Sequence, residues 1–254
     1  MTSRGTLFLV PNGLDVGTPS ADAELDERLP LGTLRVAARL GHWVCENAKT
    51  TRAFLKQVDA VCHLERPLQQ IAIVELPRPP KGRPDTAPFE GDRLLAPALA
   101  GEDVGLISEA GLPAVADPGA KLVAAAHSAG IRVVALPGAS SITLAVAASG
   151  LNGQSFAFVG YLPTEADARA ARIRELEAAS RRMAQTQVVI ETPYRNPALL
   201  GALLAQLQPS TMLSVSVGLT LMGESTRSDP IARWRAGPAT LPADVPAVFS
   251  ILAR

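Results

Sequence analysis

The order of apolar runs and small-residue loops after residue 103 constrains the fold of this chain more than any other feature. The segment alternates between strand-like and helix-like stretches, and glycine and proline cluster after each apolar run. Such alternation predicts a parallel sheet with helices packed on it. Ligands of open α/β sheets bind beyond the carboxyl ends of the strands, so the two loops predict a small-molecule site. In order, strand, loop, helix, strand and loop are Val104–Ile107, Ser108–Gly111, Ala120–Ala129, Ile131–Leu136 and Pro137–Ser141.

The same alternation extends over the rest of the chain. A run of five prolines within residues 77–88 predicts an exposed loop, and residues 90–100 are expected to form one helix. After Gly138 the pattern begins again, so we predict two αβα domains, residues 1–137 and 138–254. Further predicted strands are 6–10, 42–46, 156–161, 187–191, 212–219 and 247–252, and further predicted helices are 50–58, 141–149, 165–183 and 197–207. Residues 34–38 begin a helical or mixed stretch, and residues 71–76 form either a strand or an extended segment.

Composition excludes several classes of protein. With 24 basic and 24 acidic residues, the chain has no overall attraction to nucleic acid, and aromatic residues make up only 4%. No apolar run is long enough to span a bilayer, and no signal peptide is recognisable, so a cytoplasmic location with reduced cysteines is expected. The histidines and the two cysteines have no metal-binding spacing, so we expect no metal site.

The loop after the first predicted strand argues against a phosphate-binding fold. It reads Pro11-Asn12-Gly13 and contains neither G-x-G-x-x-G nor G-x-x-x-x-G-K-[ST]. A nicotinamide-dependent dehydrogenase or a nucleoside triphosphatase is therefore disfavoured.

The later loops carry groups that suit a ligand with hydroxyl or ammonium groups. Glu109 stands among small residues at a strand end, where its carboxylate can accept such donors; a turn or cap role is the alternative. Asp117 and Pro118 precede a predicted helix, and a capping role for Asp117 is the leading interpretation. Ser140 and Ser141 begin another helix, where backbone N–H groups are available; they too could be cap residues.

Two segments resemble a known family. SEAGLPAVADPG and LPGASSITLAVAASGL are similar to the tetrapyrrole methylase superfamily, and most similar to its branch of small-subunit ribosomal RNA 2′-O-ribose methyltransferases. Weaker matches follow in family order and extend the resemblance over nearly the whole chain. They are Leu7–Pro11, Glu46–Arg52, Phe158–Pro163, Glu191–Arg195 and Leu219–Glu224.

The resemblance implies a fold, a cofactor and a set of contacts. The fold would be two αβα domains of the tetrapyrrole methylase type, with a cleft between them for S-adenosylmethionine. The implied cofactor contacts are Pro11, Ser108, Glu109, Ala110, Gly111, Val115, Ala116, Ser140, Ser141, Thr192, Leu219 and Thr220. The implied substrate-side residues are Glu46, Lys49, Arg52, Tyr194, Arg195 and Glu224. Each of these also has a structural interpretation, such as a solvated helix face or a turn, and no catalytic residue is assigned.

The chain departs from the family pattern on the substrate side. Asn47 stands where the family has an aspartate, Glu109 replaces another aspartate, and Leu221 replaces a lysine. We therefore predict an S-adenosylmethionine-dependent methyltransferase that acts on ribosomal RNA ribose, a tetrapyrrole or another small molecule. The alternative is a degenerate member that binds the cofactor without turnover.

Two further expectations concern partners. Relatives and the high apolar content point to a homodimer. Arginines are concentrated in one helical stretch, where they either contact RNA phosphates or form a solvated face balanced by acidic residues. The arginines are Arg169, Arg172, Arg174, Arg181 and Arg182, and the acidic residues are Glu165, Asp167, Glu175 and Glu177.

Overall fold

The computed structural model describes residues 4–14, 25–77, 89–237 and 240–253. Within this part of the chain, the Cα positions cluster into two compact units, and the boundary between them falls at Ala139 and Ser140. Residues 78–88, which hold most of the predicted proline-rich loop, lie outside the described residues. Among the described helices, none is both long and apolar enough to cross a membrane.

The N-terminal unit contains a five-stranded sheet in the order β3-β2-β4-β1-β5, and all of its strand pairs are parallel. The parallel sheet predicted for this half is therefore confirmed. Its strands are β1 (Thr6–Leu9), β2 (His42–Cys45), β3 (Ala72–Glu75), β4 (Val104–Ile107) and β5 (Arg132–Ala135). Its helices are α1 (Leu25–Arg28), α2 (Leu31–Arg39), α3 (Ala48–Val61), α4 (Gly91–Leu94), α5 (Ala96–Leu99) and α6 (Ala120–Ser128), with a 3-10 turn at Leu68–Gln70.

Alternate residues of the three central strands, β2, β4 and β1, are buried on opposite faces of the sheet. Trp43 packs with Phe54 of α3 in one cluster, whereas its neighbour Val44 packs with Leu122 of α6 in the other. Because side chains alternate along a strand, a run buried on both faces must be apolar throughout. Gly105 makes room for this packing, since a Cβ there would lie 2.8 Å from the Trp43 ring. The N-terminal unit therefore has three layers, helix, sheet and helix.

The prediction of one continuous helix over residues 90–100 is wrong. The chain forms two short helices, α4 and α5, separated at Leu95, whose φ and ψ are −96° and 3°. Pro97 lacks a backbone N–H and its ring would clash with the carbonyl four residues earlier, so one continuous helix cannot form. The apolar pattern continues across the break because Leu94, Leu95 and Ala98 are all buried.

The C-terminal unit contains a five-stranded mixed sheet in the order β6-β7-β10-β8-β9. The β6–β7 pair is parallel, and the other three pairs are antiparallel. Its strands are β6 (Phe156–Tyr161), β7 (Thr186–Glu191), β8 (Met212–Val217), β9 (Ser225–Pro230) and β10 (Ala247–Leu252). Its helices are α7 (Ser141–Ser149), α8 (Ala166–Met183), α9 (Asn196–Gln206) and α10 (Ile231–Ala236), with a 3-10 turn at Pro193–Arg195.

This sheet is also covered on both faces, so the αβα architecture is confirmed for each unit. Apolar residues of α8, α9 and α10 pack on one face, and those of α7 pack on the other. Neither β9 nor α10 was predicted. Strand β9 has the polar sequence STRSDP at the sheet edge, and edge strands are often polar because this discourages pairing with other chains. The indole of Trp234 in α10 donates a hydrogen bond to the Leu213 carbonyl at 2.9 Å.

One acidic residue that was predicted to lie on a solvated face of α8 is buried instead. Glu177 is 5% exposed, and its carboxylate accepts hydrogen bonds from the Gln208 N–H at 2.8 Å and from the Thr211 hydroxyl. It is therefore a buried acceptor that joins α8 to the α9–β8 loop, and the prediction that it balances surface arginines is wrong. Glu165 caps the helix by accepting from the Ala168 N–H at 2.8 Å, and these backbone hydrogen bonds lower the pKa of its carboxyl.

Candidate functional site

The carboxyl ends of β1 and β4 bring two loops of the N-terminal unit together. The Asn12 N–H donates to the Gly111 carbonyl at 2.9 Å, and the Gly111 N–H donates to the Gly13 carbonyl at 3.3 Å. The Asn12 side-chain amide donates to the Glu109 carbonyl at 3.0 Å and lies 3.4 Å from the Ser108 carbonyl. The two strands are adjacent and parallel, so these loops must leave the sheet at the same edge.

The Glu109 side chain is held in place by the loop after β2. The Asn47 amide donates to Glu109 Oε1 at 2.8 Å, and the Glu109 N–H donates to Glu46 Oε2 at 3.2 Å. Asn47 Oδ1 also accepts from the Lys49 N–H at 2.9 Å as the N-cap of α3. An asparagine can serve both partners because its amide carries a donor and an acceptor, whereas an aspartate could only repel Glu109.

This contact joins residues to which the sequence assigned separate roles. Glu109 was predicted on the cofactor side and Glu46 on the substrate side, and the structure brings them within one hydrogen bond of each other. Asn12 and Asn47 were not predicted as site residues. The available signal was their position directly after a strand, where short polar side chains commonly bond to the backbone.

The hydroxyl of Ser108 is buried and unpaired. Ser108 is 3% exposed, and no described residue is a hydrogen-bond partner of its Oγ. Leaving a buried hydroxyl without a partner costs about 1–3 kcal/mol, so such a group is expected at a position that a ligand completes.

The loop between Gly111 and Gly119 has an unusual backbone. Ala114 and Ala116 both have a φ of 65°, and the two glycines also have positive φ values. Left-handed backbone costs roughly 1–2 kcal/mol for an alanine, and such strain is concentrated at functional sites. Val115, between the two alanines, is 44% exposed. The predicted contacts Val115 and Ala116 thus lie exposed on this strained loop, whereas Ala110 and the buried Gly111 lie at its start.

The prediction that Asp117 caps the following helix is wrong. Helix α6 begins at Ala120, and its N-cap is Gly119, which has a φ of 131° and makes no side-chain hydrogen bond. A positive φ at that position favours glycine, and it places the start of the helix two residues beyond the expected point. Asp117 is therefore left within the loop, without a capping role.

Asp117 instead lies in an environment that disfavours its charged form. Burial raises the pKa of its carboxyl from 3.8 to about 6, and the nearby carboxylates of Glu46 and Glu109 contribute to this rise. Desolvation and like charges both act against ionisation. The N-terminal unit therefore gathers three carboxyl groups near one sheet edge, and one of them exchanges its proton close to neutral pH.

Pro11 lies against Gly138 at the end of β5. A Cβ on Gly138 would overlap the Pro11 ring at Cγ and Cβ, so this approach requires glycine. The Thr33 hydroxyl donates to the Pro137 carbonyl at 2.7 Å and fixes the same loop. Pro11 thus shapes the end of the sheet by packing.

In the C-terminal unit, the residues after β7 form a network around a buried carboxylate. The Glu191 side chain is 3% exposed, and its Oε1 accepts from the Thr192 N–H at 2.8 Å and the Thr192 hydroxyl at 3.1 Å. Arg195 Nε lies 3.3 Å from the same oxygen and donates to Thr192 Oγ1 at 3.2 Å. Thr192 and Arg195, predicted to bind different ligands, are thus neighbours, and Glu191 orients both.

The turn after β8 carries the remaining predicted residues of this unit. Thr220 has a φ of 67°, its N–H donates to Glu224 Oε2 at 2.6 Å, and no described residue bonds to its buried hydroxyl. Leu219 packs against the α7 side of the sheet. Glu224, predicted on the substrate side, therefore closes the turn that carries Thr220.

Other predicted residues have simpler surroundings. Lys49 and Arg52 are exposed on α3, and Arg52 lies 3.3 Å from the Ala48 carbonyl. Ser140 is the N-cap of α7, but its side chain makes no capping hydrogen bond to the helix that Ser141 begins. In the described part of the chain, no group of three or more histidine, cysteine, aspartate or glutamate residues could hold a metal ion.

The sequence model of the Tetrapyrrole (Corrin/Porphyrin) Methylases matches residues 35–232 of this chain. The chain therefore belongs to that family, and the resemblance given by its loops is confirmed.

Curated relatives place it nearer to one branch. It is 38% identical over 138 residues to "Ribosomal RNA small subunit methyltransferase I" of Mesorhizobium japonicum, an alignment that covers 54% of this chain and 46% of the relative. A protein of the same name from Pseudomonas aeruginosa is 41% identical over 106 residues, which cover 42% of this chain and 36% of that protein. The matched segments thus span less than half the length of these relatives.

A solved structure supports the fold. The uroporphyrin-III-C-methyltransferase from Thermus thermophilus superimposes with a TM-score of 0.51 and 23% identity, over 98% of this chain and 92% of that one. At this level of identity, the likeness concerns the fold alone.

Proposed function

We propose that this chain is an S-adenosylmethionine-dependent methyltransferase whose methyl acceptor is RNA. The observation that carries the proposal is the loop from Ser108 to Gly111, which presents a buried, unpaired hydroxyl beside a carboxylate fixed by Asn47. Family membership supports the reaction class, and the names of the curated relatives support an RNA acceptor.

The groups at this sheet edge fit S-adenosylmethionine chemically. The cofactor carries ribose hydroxyls, an ammonium and a carboxylate, and has no phosphate, which agrees with the lack of a phosphate-binding loop after β1. Glu109 Oε1 accepts from Asn47, and its second oxygen can accept from a hydroxyl or an ammonium. The Ser108 hydroxyl can complete its hydrogen bonding with the same ligand. When bound, S-adenosylmethionine supplies a methyl group attached to a positively charged sulfur.

The residues of this chain would then orient the reactants and manage a proton. The Asn47–Glu109 bond and the Asn12 bonds to the Ser108–Glu109 backbone hold the loop rigidly, and positioning of this kind can supply several kcal/mol, up to roughly 7–11, of barrier reduction. An acceptor hydroxyl must lose its proton during transfer. Asp117, whose pKa is raised to about 6 mainly by burial, is largely ionised at neutral pH and basic enough to take it.

Two measurements test this proposal. Calorimetry should show binding of S-adenosylhomocysteine, and labelled methyl groups from S-adenosylmethionine should enter RNA when the protein is mixed with fractionated cell extract. Label found only in small molecules would exclude RNA as the acceptor but keep the reaction class. Folded protein that binds neither cofactor form would refute both.

Variants of Asn47 test the role of the fixed carboxylate. Asn47→Ala removes the donor to Glu109 and should weaken cofactor binding about tenfold, the equivalent of one charged hydrogen bond. Asn47→Asp keeps the capping oxygen but places a second carboxylate beside Glu109, so it should retain helix stability and still lose affinity. Glu65→Gln, an exposed carboxylate outside the site, is the control and should bind normally.

The assembly and the location follow as parts of the same proposal. We propose a homodimer, supported by a surface groove of about 400 Å³ beside α7, lined mainly by Val146, Ala147, Leu151 and Phe156. Six of the nine residues of α7 are apolar, and Leu144 is 36% exposed, so a partner would bury apolar surface that is otherwise unfavourable in water. Light scattering at micromolar concentration should give the mass of two chains. A cytoplasmic location is proposed because an RNA acceptor of the kind named for the relatives is made there.

A further inference from the structure

Tyr194 is the most exposed of the described aromatic side chains. It is 69% exposed, compared with 56% for Tyr161 and 39% for Phe156, and both tryptophans are buried. It lies in the 3-10 turn Pro193–Arg195, directly after β7. Burying an aromatic ring is strongly favourable, so the ring of Tyr194 is available to a ligand that can cover it.

Arg195, the residue that follows Tyr194, is held by Glu191 and Thr192. Arg195 Nε lies within hydrogen-bonding distance of the buried Glu191 carboxylate, at 3.3 Å, and of the Thr192 hydroxyl, at 3.2 Å. The guanidinium carbon lies 5.5 Å from the centre of the Tyr194 ring. A buried carboxylate that holds Nε fixes the direction of the planar guanidinium, and less conformational entropy is then lost when the arginine binds a partner.

The outer part of the guanidinium remains available. None of the described residues accepts a hydrogen bond from Arg195 Nη1 or Nη2, and the side chain is 32% exposed. These two nitrogens carry four N–H groups in the geometry that matches phosphate oxygens. Because the guanidinium lies over one face of the ring, the turn presents the opposite face of the ring together with a phosphate-binding fork.

We infer that Tyr194 and Arg195 form a binding element for single-stranded RNA, in which a base stacks on the tyrosine ring and the adjacent phosphate binds the guanidinium. Glu191 is a positioning residue, which acts by orienting Arg195 and Thr192. This inference rests on the proposed function, since it identifies how the RNA acceptor is held. Aromatic stacking and arginine contacts are the usual means of binding unpaired nucleotides.

Binding of a fluorescein-labelled, mixed-sequence RNA 12-mer to the full chain, measured by anisotropy, tests the inference. Tyr194→Ala should lower affinity about tenfold, as expected for loss of one stacked base, whereas Tyr194→Phe keeps the ring and should bind within about twofold of the wild type. Arg195→Ala should also reduce the slope of log affinity against log salt by about one, because one phosphate contact is lost.

Glu191→Gln distinguishes positioning from folding. It keeps the shape of the side chain but removes the charge that holds Arg195, so RNA affinity should fall. The unfolding temperature should fall by no more than the loss of one buried hydrogen bond would cause. Arg195→Lys keeps the charge without the fork and should bind less tightly than the wild type. Calorimetry of S-adenosylhomocysteine with the Tyr194 and Arg195 variants should give the wild-type affinity, and circular dichroism of all variants, including Glu191→Gln, should give the wild-type spectrum.

The outcomes separate this inference from the proposed function. Equal RNA affinity of Tyr194→Ala and the wild type would overturn the inference, and methyl transfer to RNA by the wild type would still support the proposed function. A wild-type protein that transfers methyl groups only to small molecules and binds no RNA would overturn both the inference and the RNA acceptor. A change of mass in light scattering for Tyr194→Ala, with RNA affinity unchanged, would overturn the inference and assign the ring to a protein interface instead.

Discussion

Replacing Asp117 by asparagine is expected to stabilise the protein at neutral pH. In the folded chain, burial first and then the carboxylates of Glu46 and Glu109 raise the pKa of Asp117 from 3.8 to about 6. Each tenfold change in proton affinity corresponds to about 1.4 kcal/mol, so the full penalty for ionising this group would be about 3 kcal/mol. Because the side chain is partly accessible to solvent, we expect about 1–2 kcal/mol after screening.

The two pKa values of Asp117, unfolded and folded, determine how the stability of the protein changes with pH. Below the unfolded pKa of 3.8, Asp117 is protonated in both states, so its contribution to stability is fully present. As the pH rises, the unfolded chain releases its proton first, and the folded protein loses stability until the pH passes the folded value of about 6. An asparagine at this position cannot ionise, so the stability advantage of Asp117→Asn should grow between these two values and then stay constant.

Urea unfolding at several pH values between roughly 4 and 8 measures this difference. Asp26→Asn, which removes an exposed aspartate of α1, controls for the loss of one negative charge. Glu46→Gln should reduce the advantage of Asp117→Asn, since it removes the second largest cause of the raised pKa. A stability difference between Asp117→Asn and the wild type that does not change with pH would refute the reasoning.

Further predictions concern the backbone at the two sheet edges. In thermal unfolding, Gly138→Ala should destabilise the N-terminal unit by about 1–3 kcal/mol, because the new Cβ would overlap the Pro11 ring. The control Gly201→Ala, in helix α9, adds a Cβ that meets no atom within 4 Å, so it should stabilise the protein by about 0.5–1 kcal/mol. Similar effects of the two changes would contradict the packing argument. Thr220→Gly should raise the free energy of unfolding by about 1 kcal/mol, because glycine adopts a φ of 67° without strain. The same change should weaken cofactor binding in calorimetry, since the buried hydroxyl is lost, and unchanged binding would remove Thr220 from the cofactor site. Glu224→Ala should lower stability by up to about 1 kcal/mol through loss of the 2.6 Å bond to the Thr220 N–H, and no change would mean that the exposed bond contributes nothing.

Local pattern was enough to predict most of the elements. Apolar runs followed by glycine or proline predicted β4, β5 and the layered αβα architecture. The central strand β4 is buried at every position, and a strand buried on both faces needs continuous apolar sequence. Helix α7 was predicted with the bounds that it has, Ser141–Ser149, since Gly150 ends it in a left-handed conformation. Strand β9 was missed because a polar edge strand has no apolar signal, and the break between α4 and α5 was missed although Pro97 is visible in the sequence.

The candidate site could be predicted as a set of loops but not as an arrangement. Sequence alone determined that Ser108–Gly111 follows a strand and that Glu109 is available there, since both depend on neighbouring residues. Only the tertiary structure decided that Asn47 holds Glu109 and that Glu46 lies beside Glu109. It also decided that the pKa of the Asp117 carboxyl is raised to about 6. These residues are tens of positions apart, and their proximity depends on the order of strands in the sheet. Charge interactions and desolvation follow distance in space, which a linear pattern does not contain.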